Sequence, residues 1–222
     1  MFCTVSRRTL APARLAQICS SRFASTLRSS PHVYVLDHPI NPQSKIFSLL
    51  STTPPTVELA LGETEVVPPE QDPSAFRENP RFLHILHSVL AEQACQDPQV
   101  KAQAAAMISS SGASFMQVNR RTNTGSSGAS DQGGYGSAGR GGFIHVSDNR
   151  RPPDYGRIAD PEDIFGSLEV EGDGSFTNGT GKYQESGTYR IVTRDGVLGL
   201  PDYLRQRLVE RLRIEEAAVK NK

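Results

Sequence analysis

Phe143 to Val170 reads FIHVSDNRRPPDYGRIADPEDIFGSLEV, and no other part of the chain packs strand-forming residues, prolines and opposed charges so densely. Phe143 to Val146 has the make-up of a short strand, and Ser147-Asp148-Asn149 supplies the turn residues that end it. Pro152-Pro153 then hold the backbone extended, which presents their neighbours at set spacing. Asp160-Pro161-Glu162-Asp163 carries the start signals of a helical turn. These are a capping side chain, a proline whose missing N–H costs no bond there, and acids at the positive dipole end. One turn placed there delivers Ile164 and Phe165 to the core, ahead of a strand from Ser167 to Val170. With the helices found elsewhere, this makes an α+β domain: a small, mostly antiparallel sheet with helices packed on one face.

The charges of the same stretch define the candidate surface. Arg150, Arg151 and Arg157 alternate with Asp148, Asp154 and Asp160, a pattern that suits an internal lattice of ion pairs. The same guanidinium groups, turned outward, could instead hold a phosphate or carboxylate in a two-pronged grip. Self-pairing is the simpler reading. The residues to follow as partner- or anion-binding candidates are Arg150, Arg151, Asp154, Tyr155, Arg157, Asp160 and Asp163.

Outward from this stretch, the C-terminal side continues with a turn at Gly172-Asp173-Gly174 and a loop at Asn178 to Gly181. Gly187 to Thr193 is expected as a strand with Tyr189 and Ile191 on one face, followed by a tight turn at Asp195-Gly196. A helix opens at Pro201 with Asp202 in its first turn. Leu204, Leu208 and Leu212 recur every fourth residue as its inward stripe, with Arg205, Arg207, Arg211 and Arg213 around the outside, partly balanced by Glu210, Glu215 and Glu216. Glu169, Glu171 and Asp173 do not match the spacing of an EF-hand calcium loop.

On the N-terminal side, residues 111–142 form a Gly/Ser-rich linker. Such a composition buries too little apolar area to offset its ordering entropy and is expected to be flexible. Arg140-Gly141-Gly142 resembles one unit of an RNA-binding RGG tail, with Tyr135 available for stacking. No Gly-Lys-Ser/Thr follows, so a phosphate loop of the usual form is excluded. Before the linker, residues 25–110 read as strands followed by a helical pair. His32 to Leu36, Lys45 to Leu50 and Thr56 to Leu61 are the strand candidates, the last alternating Val57, Leu59 and Leu61 against Glu58 and Ala60. Asn79-Pro80 and Asp97-Pro98 each pair a cap with a first-turn proline and open the two helices. Phe82, Leu83, Leu86, Val89 and Leu90 stripe the first, and the second is expected to end near Ile108. His84 and His87 share the first helix, but the acid nearest them, Glu92, is poorly spaced for a metal site. Half-buried surface histidines are the plain expectation.

The first 36 residues hold Arg7, Arg8, Arg14, Arg22 and Arg28 and no acid, with many Ser, Thr and Ala. That is the composition of a mitochondrial transit peptide. Arg22-Phe23-Ala24-Ser25 resembles the sites cut by matrix processing peptidases, so residues 1–24 are expected to leave as a disordered presequence. The remainder carries 20 basic against 24 acidic residues, a net charge of −4, which does not steer it globally towards nucleic acid. Cys3 and Cys19 leave with the presequence. Cys95 alone makes neither an internal disulfide nor a cysteine-based metal site. No apolar run reaches the ~18 residues of a membrane span.

The domain plan is therefore 1–24 presequence, 25–110 strands and helical pair, 111–142 linker, and 143–222 β-rich segment with closing helix. The first and last folded parts are read as one domain. Three function classes fit. The least demanding is a non-enzymatic accessory or assembly protein of a larger mitochondrial matrix complex, with no cofactor and no metal. The second is an RNA-associated factor of mitochondrial gene expression, drawing on Arg120, Arg121, Arg140, Arg150, Arg151 and Arg157 beside Tyr135, Phe143 and Tyr155. The third is a small-molecule enzyme with an acid–base carboxylate among Asp148, Asp154 and Asp160.

Overall fold

The computed structural model describes residues 25–118, 141–153 and 157–220, and the side chains of 109–118 are left aside. The presequence expectation and most of the linker expectation lie outside the described residues. Five short strands come first: β1 (Ser25–Thr26), β2 (Tyr34–Asp37), β3 (Lys45–Ser48), β4 (Gly62–Thr64) and β5 (Arg77–Glu78). They pair in chain order as an antiparallel meander. Helices α1 (Pro80–Gln93) and α2 (Pro98–Val118) follow, separated by a 3-10 turn at Ala94–Gln96. Strands β6 (Gly142–Ser147), β7 (Ile164–Val170) and β8 (Gln184–Glu185) form a second antiparallel sheet. A third pairs β9 (Val192–Thr193) with β10 (Gly196–Val197), and α3 (Asp202–Lys220) closes the chain. The α+β class with antiparallel pairing stands, but the strands divide among three sheets.

A single cluster of buried side chains runs from Leu27 through α1 and both larger sheets to Leu212. Asn79 starts α1 by accepting the Arg81 amide on Oδ1, so the proline at the first helical position loses nothing. Phe82, Leu86, Val89 and Leu90 face inward as expected, joined by Ile85. Leu204, Leu208 and Leu212 of α3 are at most 1% exposed, each worth ~1.5–3 kcal/mol if fully buried. Their four-residue rhythm continues to Glu216, which is buried as well. Its carboxylate accepts from Thr52 Oγ1 at 2.6 Å and Thr56 Oγ1 at 3.3 Å and pairs with Lys220.

Three expectations are corrected. Helix α2 runs on to Val118, taking in the first residues assigned to the linker. No proline interrupts it there, and a lone Gly112 costs a helix only about 1 kcal/mol. Thr56 to Leu61 is no strand: Val57–Leu59 forms a 3-10 turn. The Asn79 Nδ2 donates to the carbonyls of Val57, Glu58 and Ala60 at 3.3, 2.9 and 2.8 Å, and so takes the bonds a neighbouring strand would have made. Gly187 to Thr193 pairs as a strand only at Val192–Thr193, for a reason of the same kind given below.

Candidate functional site

The turn between β6 and the proline loop is built around Arg150. Its side chain is 3% exposed, with Nε and Nη2 both 2.6 Å from Asp163 Oδ1. Nη2 also donates to the carbonyls of Glu162 at 2.9 Å and Arg190 at 2.8 Å, and Nη1 to that of Ile191 at 3.0 Å. The guanidinium plane thus has a bond along each of its three nitrogens. Arg150 follows the self-pairing reading and points into the fold, where two carboxylates and three carbonyls compensate a charge that water would otherwise have to solvate.

Arg150 also explains the 187–193 segment. Tyr189 and Ile191 do turn inward together, at 7% and 0% exposure, but strand pairing begins only at Val192. The Arg190 and Ile191 carbonyls go to Arg150, the Arg190 amide to the Glu162 carbonyl, and the Ile191 amide to Glu78 Oε1 at 2.9 Å. With these groups met by side chains and a turn, the segment needs a ladder only from Ile191 onward, whose carbonyl also accepts the Leu198 amide at 3.0 Å.

Asp148, at 1% exposure, completes the corner. Its Oδ1 accepts the amides of Arg150 and Gly199, both at 2.9 Å. Its Oδ2 accepts the Tyr189 hydroxyl at 3.2 Å and lies 3.8 Å from Arg150 Nε. Gly199 is required by this approach, since a Cβ there would stand 2.6 Å from Asp148 Oδ1 and 2.8 Å from the Arg150 nitrogen. Burial pushes the Asp148 carboxyl above its ordinary value, against the pull of Arg150 and of the donors on its oxygens. Burial likewise pushes the Tyr189 hydroxyl well up, with Asp148 adding to the effect. Tyr189 stacks on Phe165 with ring centroids 4.5 Å apart and carries the Arg150 Cζ 5.6 Å from its own centroid.

The other candidates part company with this corner. Arg151 is 61% exposed and reaches Asp195 at 3.3 Å and Asp160 at 3.6 Å. Arg157, Ile158 and Asp160 are at the surface, as are Pro152 and Pro153, whereas Asp163 is buried. Asp154 and Tyr155 lie outside the described residues. The structure therefore brings Arg150 and Asp163 together with Asp148, leaves Arg151 and Asp160 in a looser exterior pair, and places Arg157 at the surface. Sequence reasoning missed Tyr189 as a member of the corner, although its inward alternation with Ile191 was the available signal.

On chemistry, a general acid or base must reach the proton it moves. Asp148 and Asp163 have 0% and 3% side-chain exposure, and their oxygens are engaged internally. On α1, His87 Nδ1 is 3.0 Å from the Tyr183 hydroxyl, which donates to the Phe165 carbonyl at 3.0 Å. His87 must then be the donor to Tyr183 through Nδ1, and burial holds its pKa below the ordinary value. Among the described residues no group of three or more His, Cys, Asp or Glu is placed to hold a metal ion, and no helix is long and apolar enough to cross a membrane. Comparison with protein-family models, curated proteins and solved structures finds no match to this chain.

Proposed function

We propose that this chain is a non-enzymatic accessory or assembly protein of a larger complex in the mitochondrial matrix, docking through the proline loop between β6 and β7. The observation that carries the reading is the division of labour within that loop. Arg150, Asp148 and Asp163 use their bonding capacity inside, which fixes the loop at its base. Arg151, Pro152, Pro153 and Ile158, the last 58% exposed, face out from that base. A guanidinium, stiff prolines and one isoleucine make a contact surface of the kind in which a few anchoring side chains carry the binding energy. The same reading takes residues 1–24 as a presequence removed on import. A cut after Ala24 leaves Ser25 and Thr26 free to pair with Val35 and Tyr34 in β2, and leaves Leu27 in the core.

The experiment is affinity purification of the tagged full-length chain from mitochondria in mild detergent, with native gels and mass spectrometry of what comes with it. The expected result is a shortened chain migrating in a particle well above monomer mass. The double substitution Arg151→Glu and Ile158→Asp should release it as monomer with its melting temperature unchanged. A full-length cytosolic pool, or a monomer before any substitution, defeats the proposal. Retention on single-stranded RNA with an affinity that falls as salt rises would replace the partner by nucleic acid.

A further inference from the structure

Away from the proline loop, a cleft of about 720 Å³ opens between the turn at residues 29–32, the start of α2, the Asn149–Arg150 turn and the segment leading into α3. Its volume lies in the range of small-molecule sites, ~300–1,000 Å³. Leu49, Val197, Leu198 and Leu200 give it an apolar wall. The charged groups around it are mostly neutralised by neighbours. Arg150 is bound to Asp163, Asp195 to Arg151, and Asp202 to Arg205 at 2.8 Å. His32 sits exposed at the rim.

Asp97 differs from the rest. It belongs to the cleft wall and has 0% exposure. Its Oδ1 caps α2, accepting the Gln99 amide at 2.6 Å and the Val100 amide at 3.4 Å, while its Oδ2 has no hydrogen-bond partner. The cap uses one oxygen and explains why an aspartate stands there. It does not explain why the second oxygen of a buried carboxylate lacks a donor, an arrangement that native proteins seldom tolerate. A carboxylate accepts only, so what would complete it is a donor, and a cation would complete its charge as well.

We propose that this cleft binds a small organic cation, a primary ammonium on a short apolar body. The ammonium donates to Asp97 Oδ2, and the carbon body lies against Leu49, Val197 and Leu200. An anion is disfavoured by the same carboxylate, whose Oδ2 has no donor. Reaching Oδ2 asks the side chains around it to part, which suits a slender ligand. The site is independent of docking at the proline loop, since none of its wall is formed by Arg151 to Ile158.

The test titrates the isotopically labelled full chain with n-butylammonium, n-butanol and butyrate, which share a carbon body and differ in head group, while the amide signals of Gln99, Val100 and Gly199 are followed by NMR. n-Butylammonium should give saturable shifts, with butanol weaker on the order of tenfold and butyrate without effect. Asp97→Asn keeps an oxygen for the α2 cap, so its melting temperature should hold, while the ammonium affinity should fall on the order of tenfold. No saturable shift, equal response to the three heads, preference for butyrate, or undiminished affinity in a folded D97N would each overturn the proposal. Should D97N fail to fold, the head-group comparison on the unsubstituted chain decides alone.

Discussion

Asn79 and Arg150 do one job in two places. Each gathers three backbone carbonyls: Asn79 takes all three from the strand-like segment Thr56 to Leu61, and Arg150 takes two from the strand-like segment Gly187 to Thr193 and one from Glu162, so each supplies bonds that a partner strand would have made. They differ in charge and depth. Asn79 is a half-buried neutral amide whose remaining oxygen is free to cap α1. Arg150 brings a full charge into the interior and stays there only because Asp163 and Asp148 come with it. A neutral hub is thus self-sufficient, whereas a charged hub obliges the fold to assemble a second layer of groups around it. Removing one partner from such a buried assembly leaves the other charges uncompensated, which costs far more than an exposed pair is worth.

The sharpest way to break this contrast is Arg150→Met, which keeps the length of the side chain and deletes the guanidinium. Two buried carboxylates and three carbonyls lose their donor, and urea unfolding should show a loss of ~3–5 kcal/mol. A loss below ~1 kcal/mol would show that water reaches the corner and that the charged hub is no more demanding than the neutral one. Next in size, Asn79→Ala removes a helix cap and three carbonyl partners at a site open to solvent on one side. The same measurement should give ~1–3 kcal/mol. A value above that of Arg150→Met would invert the comparison.

A pH series sharpens which carboxylate answers the Arg150 charge. Asp148 has its folded pKa raised above 3.8 by burial, so it binds its proton more tightly when folded. Its contribution to stability is then complete below its unfolded value and is lost as the pH rises through the raised one. Subtracting the stability of Asp148→Asn from that of the unsubstituted chain should give a difference that falls as the pH rises above the ordinary aspartate value of 3.8. A difference that rises instead would mean that Asp148 is held ionised against its burial by Arg150, 3.8 Å away, and by the donors on its oxygens. The smallest effect belongs to Arg211→Ala on α3. That side chain is 47% exposed and pairs with Glu215 one turn away, so the urea midpoint should stay within error.

The same contrast explains how much could be read in advance. The starts of α1 and α2 were legible in Asn79-Pro80 and Asp97-Pro98, and the α3 stripe in Leu204, Leu208 and Leu212. β6 was legible in Phe143 to Val146. Capping and four-residue periodicity act within a turn or two of chain, so the signal and its consequence sit together. Thr56 to Leu61 and Gly187 to Thr193 carried an equally clear alternation and yet do not pair along their length. Their backbone partners arrive on Asn79, 20 or so residues away, and on Arg150 and Glu78, about 40 and 113 residues from Ile191. At the candidate site, ion pairing of Arg150 with Asp148 and of Arg151 with Asp160 was legible as alternating charge, while the closer pair of Arg150 with Asp163 was not. That Arg150 lies inside while Arg151 lies outside was not, because adjacent arginines are alike to any local rule.

By itself the amino-acid sequence determined where the helices begin, which of their faces are apolar, and that the β6 connection is braced by proline and charge. These follow from forces between near neighbours. Only the tertiary structure decided which alternating segments pair, which arginine is enclosed, and that Asp97 caps α2 with one oxygen while the other stands without a donor in the wall of a cleft. Each of those outcomes depends on what distant parts of the chain bring to the same point, and on whether water is still there when they arrive.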